Sequence, residues 1–189
     1  MSAEVLSDNA RALRLARIRR LSRLLAAACT ATSILLTAAL LVYWIVTPTP
    51  ALLSAQAGVS RGYTIELGFT IRVLAFLISM LPLGALIYGL MQARHCFTAF
   101  AAGRIFSAES AGRLRNFAMA IIVSALLKPF AGAALSVLLS WHGSPGTKSL
   151  VFNIGSDTVL GLIFGGTVAL IAWVMREAMT IADENAQFV

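Results

Sequence analysis

The order of apolar and charged residues along the chain predicts four membrane-spanning helices. Residues 24–46 and 73–93 contain no charged side chain, residues 116–147 contain only Lys128, and residues 158–175 again contain none. A hydrocarbon core about 30 Å thick takes roughly 20 helical residues to cross, so each stretch suits one crossing. We therefore predict an all-α fold, a bundle of four transmembrane helices. The predicted spans are 24–46, 68–92, 116–141 and 157–177.

Basic residues around these spans are concentrated on one side of the predicted membrane. Eleven Lys/Arg residues fall on the side that holds both termini and the middle loop, and only Arg61 and Lys148 fall on the other. An excess of Lys/Arg in short loops marks the cytoplasmic side. We therefore predict that both termini, the loop at 93–115 and the tail at 178–189 are cytoplasmic.

The composition is typical of one domain immersed in lipid. Of 189 residues, 59% are apolar and 12% charged, against about 25% charged in soluble domains. We divide the chain into a basic amphipathic segment, 1–23, and one transmembrane domain, 24–189. The net charge of +7 is explained by the one-sided arginines, so direct nucleic-acid binding is not expected. Ala55-Gln56-Ala57 resembles a signal-peptide cleavage site, but the long basic segment before the first apolar run favours a retained span.

Lys128 lies deep inside the third predicted span, about eleven residues from either end. An ammonium group at mid-membrane costs roughly 2.5–3.5 kcal/mol on insertion scales, so it requires polar surroundings. Pro129 follows it and frees a backbone carbonyl, while Ser79 and Thr167 offer hydroxyl groups on other spans. These groups would hold the lysine in a purely structural role.

No carboxylate is predicted at the depth of Lys128, because Glu66 and Asp157 are both placed near the outer surface. This argues against a proton relay or an ion pump. A functional interpretation of Lys128, as an interior cation that binds an anion or serves as a counter-charge, stays open beside the structural one.

The middle loop and the tail carry most of the distinctive polar residues. Gly103 is a natural C-terminal cap for the second helix, and Ser107 can cap the third, with Glu109 near its positive end. Opposite charges on one side of the membrane would lock the helical hairpins together or present a surface to a partner, although exposed pairs contribute only about 0–1 kcal/mol each. The predicted partner or switch face consists of Arg104, Glu109, Arg113, Arg115, Glu177, Asp183, Glu184 and Asn185.

The sequence contains no signature of catalysis, of a cofactor site or of a metal site. His95 and Cys96 are adjacent, so on a helix they point about 100° apart, and His142 lies on the opposite side of the membrane. Cys29 and Cys96 both lie in the predicted cytoplasmic half, where a structural disulfide is not expected. We therefore expect a protein that is not an enzyme and that holds no cofactor and no metal.

Gly161 and Gly165 have the GxxxG spacing that lets two membrane helices approach closely. The predicted mate within the chain is the small face made by Gly132 and Ser136 on the third span. A second copy of the chain, in a homo-oligomer, is the alternative mate.

The middle loop and the tail together resemble a bacterial membrane family called domain of unknown function 2975. The resemblance rests on residues 103–110, on Arg113-Leu114-Arg115, and on residues 176–178 and 182–189. The family pattern is G-x-x-F-[ST]-x-E, then R-L-R, then a tail that usually ends close to Leu-Thr-Val, where this chain has Gln187-Phe188-Val189. Members are small four-helix integral membrane proteins, often found beside helix-turn-helix regulators. The resemblance thus implies a multi-pass protein of a bacterial inner (plasma) membrane that communicates with a transcription factor.

Two hypotheses of different classes follow. The first is a non-enzymatic membrane protein whose charged cytoplasmic face docks a regulatory or assembly partner, in addition to its contact with the lipid bilayer. The alternative is a small oligomeric transporter or channel component that uses Lys128 and kinks at Pro82 and Pro129.

Overall fold

The computed structural model describes residues 2–48, 68–104, 107–141, 152 and 154–187, with side chains from residue 16 to residue 185 within these ranges. All regular structure in the described ranges is helical. Each of the four helices is long and apolar enough to cross a membrane, in α1 over Ala16–Val46. The chain is therefore a multi-pass membrane protein. The helices are α1 (Ser2–Val46), α2 (Phe69–Ala101), α3 (Ala108–Trp141) and α4 (Ser156–Gln187).

The helices pack in the order in which they follow each other along the chain. α2 packs between α1 and α3, and α4 packs against α3. Among the described residues no close backbone approach joins α1 to α3, or α4 to α1 or α2. The described helices therefore form an open row, an order of packing that the predicted four-helix bundle left unspecified. Acyl chains solvate apolar side chains as well as another helix does, so α1 and α4 gain little by closing the row.

Arg72 ties α2 to the end of α1. Its Nη1 donates hydrogen bonds to the backbone carbonyls of Trp44 at 3.0 Å, Ile45 at 3.3 Å and Thr47 at 3.3 Å. The last carbonyls of a helix have no partner within the helix, and they attract positive charge. Arg72 thus caps the end of α1.

Trp44 lies in the core at the same end of the molecule. Its side chain is 3% exposed and belongs to a cluster with Ala75, Leu135 and Leu139. The small side chain of Ala75 leaves space for the indole ring between the helices.

Small residues and side-chain hydrogen bonds hold α2 against α3. A Cβ atom added to Gly89 would lie 2.9 Å from the Cβ of Ala120, so this position tolerates little more than hydrogen. The hydroxyl of Ser124 donates to the carbonyl of Pro82 at 2.7 Å. Pro82 lies within α2, which continues on both sides of it.

Gly161 and Gly165 form the contact between α4 and α3. A Cβ atom on Gly165 would lie 2.7 Å from Cγ1 of Ile122 and 3.2 Å from the carbonyl oxygen of Ala118, and one on Gly161 would lie 3.2 Å from the Cβ of Ala125. The close approach predicted for the GxxxG pair is therefore made within the chain. Its mate is this face of α3 and not the predicted pair of Gly132 and Ser136. Nothing lies within 4 Å of a Cβ on Gly132.

Candidate functional site

The turn between α2 and α3 is built around Gly103, whose φ is +86°. The amide of Gly103 donates to the carbonyl of Phe100 at 3.0 Å, and that of Arg104 donates to the carbonyl of Ala99 at 3.0 Å. This pair of bonds is a Schellman motif, which requires a left-handed residue that glycine adopts without strain. The predicted cap at Gly103 is present. We call the end of the molecule that holds this turn the hairpin end.

Ser107 caps the start of α3 as predicted and joins a chain of polar contacts. Its Oγ accepts a hydrogen bond from the amide of Ser110 at 3.1 Å, the usual bond of a helix N-cap. The same hydroxyl donates to Oγ of Ser110 at 2.9 Å, and Ser110 in turn donates to the carbonyl of Arg104 at 3.1 Å. Ser110 is fully buried. It therefore connects the two sides of the turn from inside.

Glu109 contacts two arginines of the hairpin. One carboxylate oxygen lies 3.4 Å from Nη1 of Arg104, and the other lies 4.0 Å from Nη2 of Arg113. Arg113 also donates to Oε1 of Gln92 on α2 at 3.0 Å, and Gln92 is 8% exposed. Three of the eight residues predicted for the partner or switch face are thus brought together, and Gln92 joins them.

The acidic residues of the tail lie elsewhere. Glu177, Asp183, Glu184 and Asn185 are exposed on α4. Within the described residues Glu177, Asp183 and Glu184 form no ion pair. Arg115 is also exposed, and it forms no ion pair with the described residues either. The lock between the middle loop and the tail that the sequence suggested is absent from the described part of the chain.

The helix register explains why tail and loop stay apart. Gly165 lies opposite Ala118 and Ile122, and α3 begins at Ala108, so α3 starts level with about residues 175–179 of α4. The last ten or so residues of α4 therefore project about 15 Å past the hairpin end. We call residues 177–185 the acidic extension.

Lys128 has a carboxylate partner, contrary to the sequence prediction. Its Nζ donates to Oδ2 of Asp157 at 2.8 Å. Ser79 and Thr167, the predicted alternatives, donate to the backbone carbonyls of Ala75 and Ile163 within their own helices. The prediction was wrong because α4 begins at the level of Lys128, about 13 residues before α3 ends, so Asp157 lies deep within the row.

Cys29 and Cys96 form no disulfide with each other, and neither they nor His95 belong to a metal site among the described residues. Cys29 and Cys96 are free, and the thiol of Cys96 lies 3.7 Å from the carbonyl of Ser110. His95 is exposed on α2. No group of three potential metal ligands occurs among the residues that the structure describes. His142 and Glu66 lie outside the described residues.

Sequence reasoning missed Gln92, Ser110 and the role of Asp157. Gln92 could have been identified from the sequence, because it is the one amide side chain in residues 73–93 and it lies near the charged loop. A buried amide needs a hydrogen-bond partner, and the nearest candidates were the arginines of the loop. The pairing of Asp157 depends on the offset between α3 and α4, for which the sequence offers no marker.

These observations define a class: a multi-pass α-helical membrane protein whose structured turn and acidic extension project from one end. The chain belongs to the family described as protein of unknown function DUF2975, whose model matches residues 68–189. The match covers α2, α3 and α4 and includes the hairpin turn and the acidic extension. No curated protein and no solved structure matches the chain.

Proposed function

We propose that this protein acts as a non-enzymatic docking protein of a bacterial inner membrane, with both termini and the hairpin end in the cytoplasm. The orientation is supported by the basic residues, which cluster toward the hairpin end and the N-terminus. The partner is a cytoplasmic protein, and its role is regulatory or in assembly.

One observation carries the proposal: the acidic extension projects past the hairpin end, and none of its acids is neutralised within the described chain. Arg104 and Arg113 of the hairpin both meet Glu109, a carboxylate of the hairpin itself. Three carboxylates on about two and a half helical turns create a local negative potential that steers a positively charged partner into contact.

The proposed partner therefore presents a basic surface. The helix-turn-helix regulator that the family resemblance suggests fits this chemistry, because DNA-binding domains carry clustered lysines and arginines. The alternative function, a small transporter or channel component built on Lys128, depended on a lone cation within the membrane. Its pairing with Asp157 removes that net charge.

The test is recovery of partners from native membranes with the tagged protein expressed at its natural level. The variant E177K/D183K/E184K reverses the three charges, and E177D/D183E/E184D keeps them as the matched control. We expect partner recovery to fall about tenfold or more in the charge-reversal variant, a loss of about 1.4 kcal/mol or more, and to stay unchanged in the control. Recovery of the same proteins at the same level with both variants would refute the proposal.

A further inference from the structure

The pairing of Lys128 with Asp157 places the start of α4 far inside the row of helices. Leu135 and Leu139 pack with Trp44 and Ala75 near the ends of α1 and α2. Lys128 precedes these leucines by 7 to 11 residues, or about 10–16 Å along the helix axis. In the other direction about 22 Å separate it from Arg113. Both distances put the ion pair well within the hydrocarbon core of a membrane about 30 Å thick.

Irregular backbone lies at the same depth. Residues 154 and 155 are not helical, and α4 begins after them at Ser156. The ring of Phe152 contacts that of Phe130 on α3, with ring centroids 5.8 Å apart. Phe152, which precedes α4 in the chain, therefore lies alongside α3. Ile154 is 59% exposed. Non-helical backbone at membrane depth is found where protein covers it or where it lines water, because lipid cannot satisfy its hydrogen bonds.

The ion pair is exposed as well. The side chain of Lys128 is 47% exposed and that of Asp157 is 64% exposed. A charged side chain facing acyl chains costs several kcal/mol, and charged residues within membranes face a protein interior or a water-filled cavity. Pairing reduces this cost, but it leaves the open side of both groups to be solvated.

We propose that a water-filled cavity enters the molecule from the end opposite the hairpin and reaches Lys128 and Asp157 at its floor. Its occupants are water and small ions, which meet one ammonium and one carboxylate there. The irregular backbone at the offset start of α4 and the exposed ion pair are two observations that favour a polar environment at one place. The inference does not depend on the docking function proposed above.

The cavity is tested by thiol accessibility in a C29A/C96A background. Ser156→Cys places a thiol beside Asp157 with minimal change of shape. Leu81→Cys is the matched control, because Leu81 is 61% exposed and adjoins Pro82. Since Pro82 contacts Ser124 on α3, Leu81 lies near the depth of Lys128. Ala102→Cys, in the hairpin turn, marks the side on which the hairpin lies. Each variant is treated with a cationic, membrane-impermeant methanethiosulfonate, first in spheroplasts and then in inverted vesicles.

We expect the thiol at position 156 to react at least about tenfold faster than the one at position 81, because the reactive thiolate forms only in water. Its reaction should come from the side opposite to the one that labels position 102. If the thiol at position 156 is as unreactive as that at 81, lipid or a second copy of the chain covers the site and the proposal is wrong. Reaction only from the hairpin side would also overturn it.

A second measurement keeps the proposal testable if Ser156→Cys folds poorly. Ile154→Cys should show the same sidedness, and the charge preference of its reaction should depend on the ion pair. In a K128M background the unpaired Asp157 should raise the ratio of cationic to anionic reagent rates severalfold, and K128M/D157N should restore it. An unchanged ratio would place Lys128 and Asp157 outside the reagent's path and would contradict the proposed floor.

Discussion

Gly103, Ser107 and Glu109 belong to the loop motif of the family resemblance, and the structure gives each a local role. Gly103 adopts a left-handed conformation, Ser107 caps α3, and Glu109 contacts two arginines of the same hairpin. These roles explain the spacing of the loop motif by the geometry of a tight helical turn. The motif therefore does not by itself indicate a binding site, and docking is proposed from the acidic extension.

The conformation of Gly103 makes a residue-scale prediction. Gly103→Ala should lower the free energy of unfolding by about 1–2 kcal/mol, because a Cβ atom is disfavoured in the left-handed region. Gly112→Ala is the matched control, since nothing lies within 4 Å of a Cβ at this helical position. It should be neutral or stabilise by about 0.5–1 kcal/mol. Unfolding in mixed micelles measures both, and equal effects of the two changes would contradict the assigned role.

At the scale of helices, α4 packs against α3 and against no other helix among the described residues. Its contacts with α3 are made at positions where a larger residue does not fit, so packing is achieved by close backbone approach. The mate of these glycines lies within the chain, on α3, but at Ala118, Ile122 and Ala125 instead of the predicted Gly132 and Ser136. This contact also sets the register that brings Asp157 to Lys128 and carries the acidic extension past the hairpin end.

Gly165→Leu tests the role of this contact. The larger side chain would meet Ile122 and the backbone of Ala118, and overpacking of this kind costs typically 1–3 kcal/mol. Gly166→Leu is the control, because nothing lies within 4 Å of a Cβ atom at Gly166. We expect a lower melting temperature in detergent for the first variant and little change for the second. The α3–α4 contact is wrong if Gly165→Leu melts like the unmodified protein.

The whole molecule is a row with two open edges, α1 and α4. The large apolar side chains on these helices that remain exposed, such as Leu35 at 68% and Phe164 at 55%, are suited to lipid. Within the described residues the basic α1 and the acidic extension of α4 lie at opposite edges of the row. The charges of the hairpin end are therefore spread along the row instead of being neutralised in one cluster.

Spin labels at positions 35 and 164 distinguish the row from a closed bundle. Neighbouring helices lie 8–10 Å apart, so three steps in a straight row separate the α1 and α4 axes by about 25 Å, against about 10 Å for neighbours in a closed bundle. Double electron–electron resonance in a C29A/C96A background, diluted with unlabelled protein, should give a mean distance above about 20 Å. Labels at positions 35 and 81, on adjacent helices, provide the shorter reference. A distance as short as this reference would show that the row closes.

The sequence by itself determined the local features of this protein. Uninterrupted apolar stretches long enough to cross a bilayer predicted four helices, and Gly103 and Ser107 predicted where two of them end and begin. Such features depend on each residue's own conformational preference and on its neighbours in the chain, so they can be predicted from the sequence alone.

The tertiary structure alone decided the open row, the partner of Lys128, the use of Arg72 as a helix cap and the burial of Trp44. Each depends on the axial register between packed helices. In a membrane, apolar surface gives little preference among registers, so a few small residues determine the register. Gly161 and Gly165 fit against α3 at one place, and that fit positions both the ion pair and the acidic extension.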